Sequence, residues 1–590
     1  MTFSNLSQYF EKLEATSKRL ELIDILSRLF KESNAEEIGK ICYLIQGRVA
    51  PFFEPTELGM AESLVAQAIA MAYGPTSPRL RGVKSPKDEV IKLYRQLGNM
   101  GLAAEELSKA KRLKTKAISV TGVFNELHKI AKFTGKGTVE QKVTTLANIL
   151  KSLDPISAKH VVNIPLGTLR LGIGDHTVMD ALSLAKIGDK TLRPILEDAY
   201  NKTSDLGYVA EMFFKHGEKG LKEVKLVVGK PVRPALAERM PNAEEAVKRL
   251  GDTFAAEPKF DGFRVAVHKN GNEIKLFSRN LEDTTHAFPD LVEGAKTQIK
   301  AKSCILEGEA IAYNPVTEEF LPFQETTKRR RKYNIEEKAK ELPLILFTFD
   351  VLYLNGEDVT AKPYKERRKL LESIVSADHS VVRIAEERIL HTAGEITKFF
   401  NEEISEGLEG LMLKKLDAPY KAGGRGFHWI KFKRSQSGEL TDTVDCVLLG
   451  VFSGRGKRTA FGVGGLLVGV YDEKNDSFPT ISRLGTGLTD VEFREVNEIS
   501  KKLKVSHKPA RVISKIEPGF WVEPKVVMEI FADEITKSPI HTAGEENGVG
   551  FALRFPRLVK FRESDKRAED ATTVEEIKKL YEQQYKHKKS

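Results

Sequence analysis

Cysteine is scarce in this chain. Only Cys42, Cys304 and Cys446 occur in 590 residues, far apart and with no CxxC pair. A multi-thiolate zinc site or a disulfide framework is therefore not expected, and a reducing, cytoplasmic setting fits. Long apolar runs are also missing. Those present are short and broken by charges, so no membrane span is expected. The opening Met1-Thr2-Phe3-Ser4-Asn5 has no basic segment followed by an apolar one, so no secretory signal is expected either. Charge is plentiful. With 30% charged and 41% hydrophobic residues the composition is that of a soluble globular protein, and the net charge of +10 favours a polyanionic partner. The length predicts three or four domains.

Apolar periodicity predicts helices over residues 1 to about 220. Leu20 to Leu26 and Val143 to Leu150 carry apolar residues at spacings of three and four. Thr134-Gly135-Lys136-Gly137-Thr138 precedes a helical pattern beginning near Val139, and Gly167 to Asp175 combines glycines with Arg170. Glycines at a helix start expose N–H groups that suit an anion. The same residues also suit a plain helix–helix turn. Pro231 and Pro234 mark a linker. From about 235 to 435 short strands alternate with helices, Ile305–Tyr313 and Leu344–Leu352 being clear strand candidates. Beyond 436, glycine-punctuated strands such as Cys446–Val451 and Gly465–Val470 suit a small barrel of the OB type, followed by a short helix and a basic tail.

The segment Glu257-Pro258-Lys259-Phe260-Asp261-Gly262-Phe263-Arg264 offers a lysine where chemistry would want a nucleophile. An amine attacking phosphorus needs a free lone pair, and a neighbouring cation such as Arg264 or a metal would help the proton leave. Taken alone, the segment also fits a surface hairpin with a lysine–aspartate pair. Further segments follow in order: Ser278-Arg279-Asn280, Leu306-Glu307-Gly308-Glu309-Ala310, Phe347-Thr348-Phe349-Asp350, Glu409 to Lys414, Trp429-Ile430-Lys431-Phe432-Lys433, and Leu553-Arg554-Phe555-Pro556-Arg557. In content, order and spacing the chain resembles the nucleotidyltransferase superfamily of DNA ligases and capping enzymes, above all the ATP-dependent DNA ligases of the archaeal and eukaryotic replicative type.

That resemblance implies a multidomain protein: an all-α DNA-binding domain (1–225), an α+β, ATP-grasp-like nucleotidyltransferase core (226–435) and a β-barrel OB-fold domain (436–590). It implies that Lys259 attacks the α-phosphorus of ATP, that AMP then moves to the 5′-phosphate of a nick, and that the 3′-hydroxyl expels it. It assigns Glu257 to adenine, Arg264 and Arg279 to ribose or phosphate, and Arg425 to the nucleotide. Glu309 is assigned to ribose or metal, with Glu307 on the same strand face as an alternative. Phe349 would stack on adenine, although alternating Phe347 and Phe349 also suit a core. Glu409 would bind magnesium, with manganese as a substitute. Lys431 and Lys433 would face the triphosphate, a solvated basic strand being the other reading. Arg554 and Arg557 would orient pyrophosphate. Ser564 is an extra residue in the stretch after them, which leaves open whether Asp565 or Lys566 reaches the nucleotide. Gly135, Lys136, Gly137 and Arg170 would hold duplex backbone.

The partners implied are nicked double-stranded DNA, encircled by the three domains, and a sliding clamp, with a monomeric protein and no membrane. Gln46 to Phe53 fits a clamp tether in form, but its place inside the helical region favours a core. The basic run Lys328 to Lys332 reads as a solvated face or a DNA contact. The helical first region argues against an RNA ligase or capping enzyme, and three scattered cysteines against an NAD-dependent ligase with a four-cysteine zinc element. A nick-binding protein without chemistry is the rival of another class.

Overall fold

The structure, a computed structural model, describes the chain apart from residues 75–84, 170, 241, 315–319, 322–325, 327, 330–333, 377–379, 407, 434–442, 453–462, 486–489, 563–565 and 587–590, and apart from the side chains at 239, 405, 425, 490, 491, 493, 583, 585 and 586. The chain forms two compact units, Met1–Tyr200 with Ser204–Val224, and Asn201–Thr203 with Lys225–Ser590.

The first unit is helical, as the periodicity predicts. Its described residues form twelve helices, from Phe3–Glu14 to Leu206–Lys222. Helix Arg19–Lys31 buries Leu22, Ile23, Leu26, Leu29 and Phe30, one stripe at the expected spacing. Side-chain caps fix several starts: Ser85, Asn99, Ser119, Asp154 and Asp205 each accept from a first-turn N–H, worth about 0.5–2 kcal/mol apiece. Gly135 and Gly137 both have φ of +84°, and Gly137 caps the thirteen-residue helix Thr138–Leu150. Lys136 between them is exposed. Arg170 lies outside the described residues. The Gln46–Phe53 box is built into the core. Val49 and Phe53 are buried, and Gln46 Nε2 donates to Asp175 at 2.9 Å. Its apolar residues cannot serve as an exposed clamp tether while they fill that core.

The second unit holds the sheets, with strands numbered in chain order. One sheet runs β1 (Leu236–Arg239), β11 (Arg425–Lys433), β10 (Gly410–Lys415), β2 (Phe254–Lys259), β9 (Arg388–Leu390). A second runs β4 (Glu273–Ser278), β3 (Phe263–Asn270), β5 (Ser303–Ala312), β6 (Leu344–Leu354), β7 (Glu357–Asp358), with β8 (Val382–Ile384) beside β6. Helices Ala243–Leu250 and Ala393–Ser405 pack on the first sheet over Phe254, Leu411 and Leu413, the second helix bringing Ile396 and Phe399. Fully burying one such side chain contributes about 1.5–3 kcal/mol.

The remaining strands are β12 (Val444–Phe452), β13 (Gly465–Gly469), β14 (Phe478–Leu484), β15 (Lys504–Val505), β16 (Val512–Ile513), β17 (Phe520–Val522), β18 (Val527–Phe531), β19 (Glu534–Ser538), β20 (Ala543–Glu546), β21 (Val549–Arg554) and β22 (Arg557–Phe561). They form an eight-stranded and a three-stranded sheet sharing one apolar core, which helix Val574–Lys586 joins through Ile577 and Leu580.

Two arginines of the second unit are turned inward. Arg329 is buried, bonds Asp290 at 2.8 and 2.9 Å, and donates to the Leu342 carbonyl. It therefore departs from the solvated basic run expected there, while Lys328 is exposed. Arg367, on helix Tyr364–Ile374, bonds Asp350 of β6 at 2.8 and 2.9 Å, both side chains fully buried. Arg367→Ala would leave Asp350 charged and unpaired, so a loss of about 3–5 kcal/mol is expected, read as a lower Tm for the second unit, with Arg367→Met milder than Ala.

Candidate active site

A cavity opens where β2, β10 and β11 present their ends, and Lys259 lines it. The ladder positions the chemistry: Gly410 is opposite Lys259 on one side and Lys433 on the other. Glu409, one residue earlier, therefore lies between two ammonium groups. Its carboxylate bonds both Lys259 and Lys433, and its N–H donates to the Lys259 carbonyl at 3.0 Å. Burial works against that charge, yet the two ammoniums outweigh it and hold Glu409 well below the usual carboxylate range. Gly410 has φ of +148°, and a Cβ there would stand 2.1 Å from the Phe432 carbonyl oxygen, so only glycine permits the approach. Gly262 is constrained likewise, 2.2 Å from the Ala310 oxygen.

Arg264 lines the cavity but is not aimed at Lys259. It bonds Glu307 at 2.5 Å and the Ala235 carbonyl at 3.0 Å, and Tyr420 donates to the same Glu307 oxygen. The partner of Lys259 is thus a carboxylate rather than the expected cation. Glu307 is consumed by that network, while Glu309 faces the cavity. Burial pushes Glu309 up to about 7; Lys259, Arg264 and Arg279 oppose the rise and Glu409 adds to it.

A bulge separates the two phenylalanines of β6. Glu307 pairs with Asp350 and Gly308 with Thr348, so Phe349 is the extra residue. Phe347 stacks on Phe260 at 4.2 Å in the core, whereas Phe349 lines the cavity, edge-on to Trp429 at 5.8 Å. Glu257, Arg279, Lys431 and Lys433 line it too. Arg425 lies on β11, its side chain outside the described ones.

The strands after residue 443 supply another wall. Asp445, Glu529, Arg562 and Lys566 face the cavity, with Asp445 bonding Lys566. Burial, together with Arg562 and Arg279, brings Lys566 down to about 8 against the pull of Asp445. Arg554 and Arg557 are not brought to the cavity. Each side chain is 57% exposed, and they pair with Glu534 and Asp533 at 3.2 Å. Lys566 reaches the cavity; Ser564 and Asp565 lie outside the described residues. Sequence reasoning passed over Tyr364, Arg368, Lys414 and Asp445. Lys414 ends the Glu409 motif, which was a usable signal, whereas the other three carry none.

Comparison with known proteins shows the family. The family model described as ATP dependent DNA ligase domain matches residues 234–433, DNA ligase N terminus matches 2–183, and ATP dependent DNA ligase C terminal region matches 459–566. This chain belongs to the ATP-dependent DNA ligases. A probable DNA ligase of Dictyoglomus turgidum is 52% identical over 589 residues, covering 100% of this chain and 99% of that one. DNA ligase 2 of Thermofilum pendens is 42% identical over 601 residues, with 99% and 98% covered. A DNA ligase of Nitrosopumilus maritimus is 42% identical over 598 residues, with both chains covered in full. Among the described residues of this ligase no helix is long and apolar enough to cross a membrane.

The two acidic residues give the ligase opposite pH signatures. Glu309, raised to about 7 in the fold, costs stability as pH climbs from its unfolded value of about 4.3. Glu309→Gln should therefore raise Tm relative to wild type at pH 8 and not at pH 4. Glu409, held low, contributes stability above the ordinary carboxylate range and loses it as pH falls. Glu409→Gln should lower Tm at neutral pH, and the difference should shrink on acidification.

Proposed function

We propose that this ligase seals nicks in duplex DNA through a covalent AMP on Lys259. The observation that carries the reading is Lys259 lining the cavity, on a strand end, sharing Glu409 with Lys433. When that pair parts and the proton is lost, the amine attacks the α-phosphorus of ATP. The N–P bond forms as the bond to pyrophosphate breaks. Lys431 and Lys433 face the charge that shifts onto pyrophosphate. AMP next passes to the 5′-phosphate of the nick, which makes that phosphate oxygen a better leaving group, and the 3′-hydroxyl expels AMP.

Phe349 and Trp429 offer adenine an aromatic wall, with Glu257 as an acceptor for its amine. Arg264, bonded to Glu307, and Arg279 lie on the side suited to ribose and phosphate oxygens, as Arg425 does by sequence. Magnesium fits the donor set. Glu309 and Glu409 are carboxylates on one cavity, one of them raised by burial and by the other's charge, and this ion prefers few carboxylates with phosphate oxygens completing its shell. Bound there, magnesium or manganese would neutralise triphosphate charge.

The three parts we assign are a helical DNA-binding domain (1–225), a nucleotidyltransferase domain (226–435) and an OB-fold domain (436–590). Left-handed Gly135 and Gly137 with exposed Lys136 ahead of a helix suit a DNA phosphate, and Arg170 joins them by sequence. Arg554 and Arg557 would reach the nucleotide only after the barrel turns. We assign the working form as a monomer in the cytoplasm, with a sliding clamp as partner through a surface other than the Gln46 box.

Incubation with ATP and magnesium should add one AMP to the intact mass, absent in Lys259→Ala and discharged by nicked DNA. No adduct from unadenylated protein would overturn the covalent reading. Affinity for nicked duplex should fall linearly on logarithmic axes with salt, by about 0.9 per phosphate neutralised; a flat salt response would refute backbone-dominated binding.

A further inference from the structure

The register of the first sheet creates an electrostatic problem behind the cavity. β2 and β9 are antiparallel, with Ala256 opposite Arg388. One step further along that register sets Glu257 opposite Glu387. Like charges directly opposed on neighbouring strands repel, and Glu257 is buried. Helix Tyr364–Ile374 supplies the remedy from one face, four residues apart. The Tyr364 hydroxyl lies 2.6 Å from Glu257 Oε1 and 2.5 Å from Glu387 Oε2. Arg368 reaches Glu257 Oε1 at 3.5 Å, and on the other side Lys414 bonds Glu257 Oε2 at 2.6 Å.

We propose that Tyr364 is the positioning residue that makes this ligase choose adenine over guanine, by fixing Glu257 as a hydrogen-bond acceptor. The inference rests on the nucleotide reading of the cavity given above. A phenol carries a single proton, and two carboxylates lie within reach of it. Lys414 and Arg368 hold Glu257 ionised, and the phenol, bridging its Oε1 to Glu387, fixes where that carboxylate points, leaving Glu257 an acceptor. An acceptor receives the exocyclic amine of adenine and repels the O6 of guanine, where two acceptors would meet unpaired. Without the hydroxyl nothing bridges Glu257 to Glu387, and one of them takes up a proton. A protonated Glu257 can donate to O6, so the discrimination relaxes.

The test is nucleotide selectivity, measured as the ratio of kcat/KM for self-adenylation with ATP to that for self-guanylation with GTP. In Tyr364→Phe the ratio should fall by about tenfold or more, chiefly through a higher KM for ATP. Glu387→Gln removes the opposing charge, and its amide donates to the phenol oxygen, which commits the phenolic proton to Glu257. Its ratio should exceed that of wild type. A Tyr364→Phe protein with native Tm and an unchanged ratio overturns the proposal. Should that variant not fold, Glu387→Gln decides: a higher ratio supports the role of Tyr364, and an unchanged or lower one overturns it. Failure of the underlying reading looks different, since wild type would then form no nucleotide adduct or Lys259→Ala would form one.

Discussion

A single carboxylate organises the site. Glu409 is held between Lys259 and Lys433 by the pairing of three strands, and its own N–H is tied to the Lys259 carbonyl. Two like-charged ammoniums can share a half-buried cavity only because a negative charge stands between them, and that charge survives burial only because both cations attend it. The three groups therefore stand or fall together. Everything around them serves that arrangement, including the glycine at 410 that lets β10 approach β11 and the aromatic wall that limits water.

The same logic recurs one layer out. Arg264 with Glu307 and Tyr420, Glu257 with Lys414, Arg368 and Tyr364, and Asp445 with Lys566 are each a buried charge met by opposite charge or a hydroxyl. Such clusters contribute little net stability against well-packed apolar replacements, but removing one member is costly. What they secure is orientation: charged side chains held at fixed angles around one cavity, as phosphoryl chemistry requires.

Helices to about residue 220 and sheets beyond it were legible because periodicity is a local property. The motif segments were legible as strings, and their order pointed to the family. What strings cannot reveal is register. That Lys259 would meet Glu409 rather than Arg264 depends on strands 150 residues apart. That Phe349 and not Phe347 would reach the cavity depends on a bulge, which strict alternation hides. Arg554 and Arg557 bear the motif, yet Arg562 and Lys566, one strand later, point inward. Tyr364 lies in no motif, and its place between two glutamates follows from β2 and β9 pairing across more than a hundred residues.

The three cysteines with which the sequence began have a practical meaning in the folded chain. Cys42, Cys304 and Cys446 are each buried. Burial pushes the Cys304 thiol up to about 12 and raises Cys42 further from reactivity. Buried thiols of this kind react slowly with thiol reagents. A single cysteine introduced on the helical unit and another on the strands after residue 443 could carry a fluorophore pair without stripping the native thiols, so movement of the parts during a reaction cycle could be followed in otherwise unaltered protein.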